Sequence, residues 1–238
     1  MRTAYTVFRN LYNVRKMTMK LVLASGSQRR RELLTMCGYD YEIIVSNADE
    51  TIDENDPESF VRALSFRKAK DVFDRLFAAG RRDFAVIGSD TVVAFQKEGG
   101  TKPVIIGKPK DAKDAVRILS MLSGKTHRVF TGVSVIADIP DENAAAQCSL
   151  RKKAEIQTEC SITEVTFETL SPDEITDYVN SGDPLDKAGS YGIQGPFGMF
   201  VREIRGNYFT VIGMPIPVLY KMLKKIGILP HGFYERIE

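Results

Sequence analysis

Residues 23–33, LASGSQRRREL, pass from an apolar run through Ser-Gly-Ser into three consecutive arginines, and the fold turns on how that passage is read. KLVLA at 20–24 has the length and composition of a short buried strand. Ser27 stands where a helix N-cap is expected, and Gly38 where such a helix would end. A strand that enters a helix in this way leaves backbone N–H groups free at the helix N-terminus, and Gly26 lets an anion approach the main chain. Arg29, Arg30 and Arg31 fall in the first turn, where the helix dipole disfavours cations. A bound phosphate would reverse that penalty, because arginine offers bidentate hydrogen bonds to phosphate oxygens. Solvated arginines paired with acids elsewhere are the simpler alternative. The pattern GxxxxGK[ST] is absent, so the junction is not a P-loop.

Working outward, YEIIVS (41–46) reads as a second strand, followed by the acidic loop NADETIDEND (47–56). Asp56 and Pro57 open a helix of about 24 residues with Phe60, Leu64, Val72 and Leu76 on one stripe. FAVIGSDTVVAF (84–95) is strand-like but interrupted by a polar triplet, and QKEGGTK after it reads as a turn. A Gly-Lys-Pro loop at 107–109 leads to a helix capped by Asp111, then to the strand RVFTGVSVIA (128–137). Residues 138–154 are polar and irregular, a surface excursion between strands. ITEVTFETL (162–170) predicts a strand and SPDEITDYVNSG (171–182) a short helix. A glycine-rich segment, DPLDKAGSYGIQGPFG (183–198), precedes the expected strands MFVREI and YFTVIG and a closing helix from Pro215. Strands and helices intermix from end to end, so the class is α/β.

At 238 residues the chain can bury a substantial core, as one large domain or as two lobes around a cleft. Apolar residues make up 43% and charged residues 27%, and no apolar run approaches the roughly 20 residues that span a bilayer. A net charge of +2 does not by itself imply a nucleic-acid partner. Cys37, Cys148 and Cys160 lack metal-ligand spacing and suit reduced thiols in a cytosolic-type compartment. Residues 1–31 hold eight Lys or Arg and no acid, so residues 1–19 read as an extension, either disordered or a mitochondrial targeting segment.

Three further residues carry chemical interest. Lys68 falls on the apolar stripe of its helix, where a lysine either snorkels to solvent or reaches a buried anionic site. Asp90 is flanked by nine apolar or glycine residues in FAVIG and VVAF. Burying an unpaired carboxylate is costly, which points to a metal, a cation or a reacting water as its partner; a turn or N-cap aspartate is the alternative. Glu50, in the acidic loop, is a candidate second carboxylate, and two acids with phosphate oxygens suit Mg²⁺. The histidines, 127 and 231, offer little for a Ser-His-Asp hydrolase, and the GxSxG elbow is missing.

Taken in order, LASGSQRRREL, GSDTVV (88–93), GKP, LSGKTHRVFTGV (122–133) and DKAGSYGIQG (186–195) resemble the Maf family of nucleoside triphosphate pyrophosphatases, over roughly residues 20–228. Gln28 stands where the family has proline, so the entry to the helix is expected to be less rigid. The resemblance implies a Maf/Ham1-like α/β fold, with a mixed, strongly twisted sheet, flanking helices and two lobes around a central cleft. It implies hydrolysis of a nucleoside triphosphate between the α and β phosphates, giving the monophosphate and pyrophosphate, with Mg²⁺ or Mn²⁺ as cofactor. By motif, Ser25, Arg29 and Arg30 would hold phosphates, and Lys68 and Lys108 would neutralise them. Asp90 would accept the proton of the attacking water, with Glu50 and Asp90 serving the metal. KAGSYGIQG resembles the branch acting on dTTP and UTP, in which Arg30, Thr91 and Gln194 correspond to positions associated with substrate choice. The resemblance implies a homodimer, while the cysteines, the balanced charge of residues 32–238 and the lack of a long apolar run point to a cytoplasmic protein without stable nucleic-acid or membrane partners. The alternatives are a 7-methyl-GTP-type pyrophosphatase of the family and a non-catalytic, nucleotide-binding regulator of cell division. The domain is expected to span 20–228, with 229–238 as a tail.

Overall fold

The structure is a computed structural model that describes residues 19–96, 99–100, 102–139 and 154–231. The leader, most of the 138–154 excursion and the last residues of the tail therefore lie outside the described residues. In chain order the elements are β1 (Lys20–Leu23), α1 (Gln28–Met36), β2 (Tyr41–Ile43), α2 (Pro57–Ala78), β3 (Phe84–Phe95), β4 (Val104–Ile106), α3 (Ala112–Leu122), β5 (Thr126–Ala137), β6 (Glu155–Phe167), α4 (Pro172–Asn180), β7 (Val201–Arg205), α5 (Tyr208–Ile212) and α6 (Ile216–Lys225). Seven strands form one mixed sheet in the order β2-β1-β3-β5-β6-β7, with β4 also on β3. β2, β1 and β3 are parallel, and every pair beyond β3 is antiparallel. The expected class, α/β with a mixed sheet and flanking helices, is the one observed.

β3 organises the molecule. The interruption expected at Ser89-Asp90-Thr91 is absent, because β5 pairs with β3 without a break from Ala85↔Ala137 to Ala94↔Arg128. The opposite edge of β3 is different. β1 ends at its pairing of Leu23 with Ile87, and β4 joins only at Val93↔Ile106. Between them the polar triplet faces no strand, and a cleft opens at the carboxyl end of β1, where open α/β sheets place their ligands.

The same triplet divides the core. On one face of β3, Ala85 and Ile87 pack with Leu21, Leu34 and Leu219, whereas Val93 and Phe95 pack with Ile118, Leu119 and Phe167. On the other face, Phe84 and Val86 join Val72 and Phe73, whereas Val92 and Ala94 join Val61 and Phe130. Each fully buried large side chain contributes about 1.5–3 kcal/mol. Ser89, Thr91 and Thr131 form a polar belt between the clusters, tied to the carbonyls of Gly132, Gly213 and Thr210 by hydroxyl bonds of 2.7–3.0 Å.

α2 lies close against the sheet because two glycines admit it. A Cβ at Gly88 would stand 2.1 Å from the Ser65 carbonyl oxygen, and one at Gly132 2.2 Å from that of Val61. The helix runs 22 residues, near the expected length, and the Asp56 carboxylate accepts from the Ser59 N–H at its start. Some expectations need correction. YFTVIG is not a strand but the short α5, because the Asn207 side chain caps the Phe209 N–H and Gly213, at φ +107°, ends the turn. MFVREI becomes a strand only from Val201, the preceding residues completing a 3₁₀ turn. YEIIVS contributes a strand of three residues, and β4 was not anticipated. Ser27 takes the N-cap position of α1, but its side chain makes no capping bond.

Candidate functional site

Lys68 points from α2 toward the gap in the sheet, and its ammonium donates to Asp90 Oδ1 at 2.7 Å and lies 3.1 Å from Glu50 Oε1. Only 12% of the lysine side chain and 11% of the aspartate side chain are exposed. The lysine therefore does not snorkel; it reaches a nearly buried carboxylate. Burial raises the Asp90 pKa above that of an ordinary aspartate, Lys68 and Arg30 oppose the shift, and Glu50 adds to it. Glu50 itself, 65% exposed, is placed by the residue next to Lys68. Arg67 Nη1 donates to the carbonyls of Asp49 and Thr51, at 2.8 and 2.9 Å, and so pins the main chain on both sides of Glu50.

Across the gap, Ser25 and α1 present the cationic start seen in the sequence. Arg30 turns inward. Its Nε donates to the Gly213 carbonyl at 2.8 Å and its two terminal nitrogens to Ser25 Oγ at 3.1 Å and Thr91 Oγ1 at 3.4 Å. Burial of this guanidinium lowers its pKa, and the charge of Asp90 opposes that shift. Arg29 instead faces the cleft and pairs with Asp186 at 3.1 Å. The two arginines thus differ: Arg29 is available to a ligand in exchange for an exposed carboxylate, while Arg30 ties the helix to the polar belt.

Ser25, Arg29, Arg30, Glu50, Lys68 and Asp90 all line one cleft of about 840 Å³. Thr91, Lys108 and Gln194 line it too. That volume suits a small-molecule ligand. Lys108 and Gln194 are exposed at its rim. His127, by contrast, is 2% exposed, its Nε2 lies 3.0 Å from the Tyr191 hydroxyl, and burial pushes its pKa down to about 3, so it stays neutral within the core.

Sequence reasoning missed a second set of polar groups in the glycine-rich segment. Lys187 donates to Asp183 Oδ1 at 2.9 Å and to Asp186 Oδ1 at 2.7 Å. Tyr178, on α4, donates to Asp183 Oδ2 at 2.5 Å. Burial works against the Asp183 carboxylate, but the bonds from Tyr178 and Lys187 hold its pKa below the ordinary value. The sequence signal was the DxxDK spacing ahead of AGSYGIQG, which puts charges beside a loop too polar for core.

The fold and the cleft define an α/β protein that gathers cations and a buried carboxylate around one cleft of small-molecule size. The model of the Maf-like protein family matches residues 20–226, and the chain belongs to that family. It is similar to the dTTP/UTP pyrophosphatase of Agathobacter rectalis, with 39% identity over 217 residues that cover 88% of this chain and 98% of the relative. It is likewise similar to the dTTP/UTP pyrophosphatase of Bacillus thuringiensis subsp. konkukian, with 42% identity over 210 residues that cover 88% and 96% of the two chains. A solved structure of the Staphylococcus aureus Ham1 protein aligns with 87% of this chain and 98% of its own at 14% identity. Its TM-score of 0.43 is too low to bear on function.

Proposed function

We propose that this protein hydrolyses dTTP and UTP to the nucleoside monophosphate and pyrophosphate. Membership of the Maf-like family and the relatives named for this activity support the reaction class and substrates. One structural observation carries the residue assignment: the buried Asp90 carboxylate, held by Lys68, opens into the same cleft as Arg29 and the start of α1.

In this reading Asp90 is the general base. A water oxygen attacks the α-phosphorus, its proton passes to an Asp90 oxygen, and the bond from the α-phosphorus to the bridging oxygen breaks so that pyrophosphate leaves with the electron pair. A carboxylate with a raised pKa is a better proton acceptor than an ordinary one, provided the pH lies above that pKa. Lys68, Lys108 and Arg29 offset the charge of the triphosphate, and the N–H groups at the start of α1 add donors. Arg30 fixes Ser25 and Thr91, which is how it enters substrate choice.

Glu50 and Asp90 suit a divalent metal. Both approach one point, the Lys68 ammonium, with oxygen donors only, the donor type a hard cation such as Mg²⁺ or Mn²⁺ prefers. No group of three or more candidate ligands exists among the described residues, so the remaining positions would fall to phosphate oxygens and water. When bound, the metal would supply charge stabilisation to the triphosphate.

No helix among the described residues is long and apolar enough to cross a membrane. Free Cys37 and Cys160 support placement in the cytoplasm. A reporter fused to residues 1–17 that enters mitochondria would instead favour targeting.

A panel of canonical and modified triphosphates, assayed for pyrophosphate release with Mg²⁺, Mn²⁺ and Co²⁺, tests the proposal. UTP and dTTP should lead the panel. Absence of pyrophosphate release from both, or a preference for 7-methyl-GTP, overturns it.

A further inference from the structure

The turn that carries Gln194 is held by a side chain from outside the loop. Gly195 N–H donates to the Gly192 carbonyl at 3.3 Å, so Ile193 and Gln194 are the two central residues of a turn whose first residue is Gly192. The Gly192 N–H donates to the Tyr178 hydroxyl at 3.0 Å, and that hydroxyl donates to Asp183 Oδ2 at 2.5 Å. A phenol has one proton to give, and here it is committed to Asp183, which leaves the oxygen lone pairs for the amide. The ring acts as well. It packs against Phe197, at the other end of the same loop, with centroids 4.8 Å apart. Lys187 completes the bracket: it holds Asp183 Oδ1 at 2.9 Å, and its Cε lies 2.5 Å from where a Cβ on Gly192 would stand.

We propose that Tyr178 is a positioning residue for base recognition, its Asp183-held hydroxyl fixing the Gly192 amide and so the turn that presents Gln194 to the cleft. The inference rests on the reading of the protein as a pyrimidine triphosphate pyrophosphatase in which Gln194 meets the base. Tyr178 is 6% exposed and does not line the cleft, so it acts through the loop and not by touching substrate. Burial and the Asp183 hydrogen bond push its pKa well above the ordinary tyrosine value, so the hydroxyl keeps its proton at every physiological pH. Uracil and thymine present two carbonyl acceptors around one N–H donor, and a glutamine amide can answer that pattern only when its own main chain is held in one place.

Tyr178→Phe removes the hydroxyl and keeps the ring on Phe197. The Gly192 N–H and Asp183 Oδ2 each lose a partner, and the expected result is about a tenfold rise in KM for UTP with kcat changed by less than about threefold. The ratio of kcat/KM for UTP over CTP should fall, because the loss concerns base reading. Asp183→Ala, which removes the acceptor of the tyrosine proton and the partner of Lys187, should lower the same ratio, and the double variant should lose no more than the more damaging single one. Amide hydrogen exchange supplies a readout that needs no turnover and no ligand: Gly192 should exchange faster in Tyr178→Phe than in the parent.

Equal losses for UTP and CTP, additive losses in the double variant, or unchanged exchange at Gly192 would overturn the inference. If the parent protein releases no pyrophosphate from UTP or dTTP, the functional reading fails and the substrate half of the inference fails with it, whereas a parent with normal discrimination and an equally discriminating Tyr178→Phe defeats the inference alone. Should Tyr178→Phe fail to fold, Asp183→Asn decides: its amide oxygen still accepts from the tyrosine, so selectivity should stay near that of the parent, and a loss as deep as that of Asp183→Ala counts against the tyrosine.

Discussion

Asp90 and Lys68 form a nearly buried pair, 11% and 12% exposed, and three predictions concern it. Asp90→Asn should lose about 10²-fold or more of kcat while still binding nucleotide, because an amide is not a base; steady-state kinetics alongside calorimetric binding of UTP checks it. The same variant bears on stability. Burial raises the Asp90 pKa in the folded chain, so the parent loses stability as pH rises from the ordinary aspartate value through the raised one. Asp90→Asn should therefore melt at or above the parent temperature at neutral pH, with the gap narrowing in acid, and a variant that melts lower at neutral pH would contradict the burial argument. Lys68→Met keeps the stem and removes the charge that pulls the Asp90 pKa down. The acidic limb of its pH–rate profile should move to higher pH; a lower rate with an unmoved limb would reduce Lys68 to a contact for phosphate. Both residues were legible in the sequence because each is a charge where the pattern calls for an apolar side chain. Arg67 and Tyr178 were not, since a half-buried arginine and a buried tyrosine on helices violate no pattern, and only the tertiary partners reveal their work.

At the level of elements, the contact between α2 and the sheet sets the distance from Lys68 to Asp90. Gly88 and Gly132 sit under the carbonyls of Ser65 and Val61, and a methyl group at either would meet main chain that has nowhere to go. Gly88→Ala should cost about 1–3 kcal/mol or more and push the helix outward, so that kcat falls further than the melting temperature alone would explain. Thermal melts with kinetics well below the transition test this, and a destabilised variant with parental kcat would show that the lysine follows the aspartate regardless of helix position. Elements with long periodic patterns, such as α2 and β5, could be read from sequence. α5 could not: YFTVIG carries strand-like composition, and its helical turn is decided by the Asn207 cap and by Gly213, features of two residues. β4, at three residues, is too short to show a period, and it exists because β3 offers it an edge.

Across the whole molecule, the polar belt on β3 and β5 separates two sets of apolar clusters, and the cleft is lined from both sides, by Ile212 of one and by Val93, Val129 and Tyr191 of the other. Binding to the folded state alone should raise stability by about 2.7 kcal/mol at a hundredfold excess over Kd. For a chain of this size that is a rise of roughly 5–10 °C in Tm. UTP added to Asp90→Asn should produce such a shift and CTP a smaller one; no shift with either would mean that the cleft does not hold the triphosphate. The charges in that cleft have one more consequence. Lys68 is engaged by Glu50 and Asp90, Lys187 by Asp183 and Asp186, and Arg29 by Asp186. These cations form a loaded ion exchanger and not a bare positive well. In the proposed reading an arriving anion would exchange with resident carboxylates, Asp186 on Arg29 first among them, so the site would weigh valence as well as shape: a triphosphate could trade for several carboxylates at once, while a monophosphate would trade for fewer and leave as the carboxylates return to their cations.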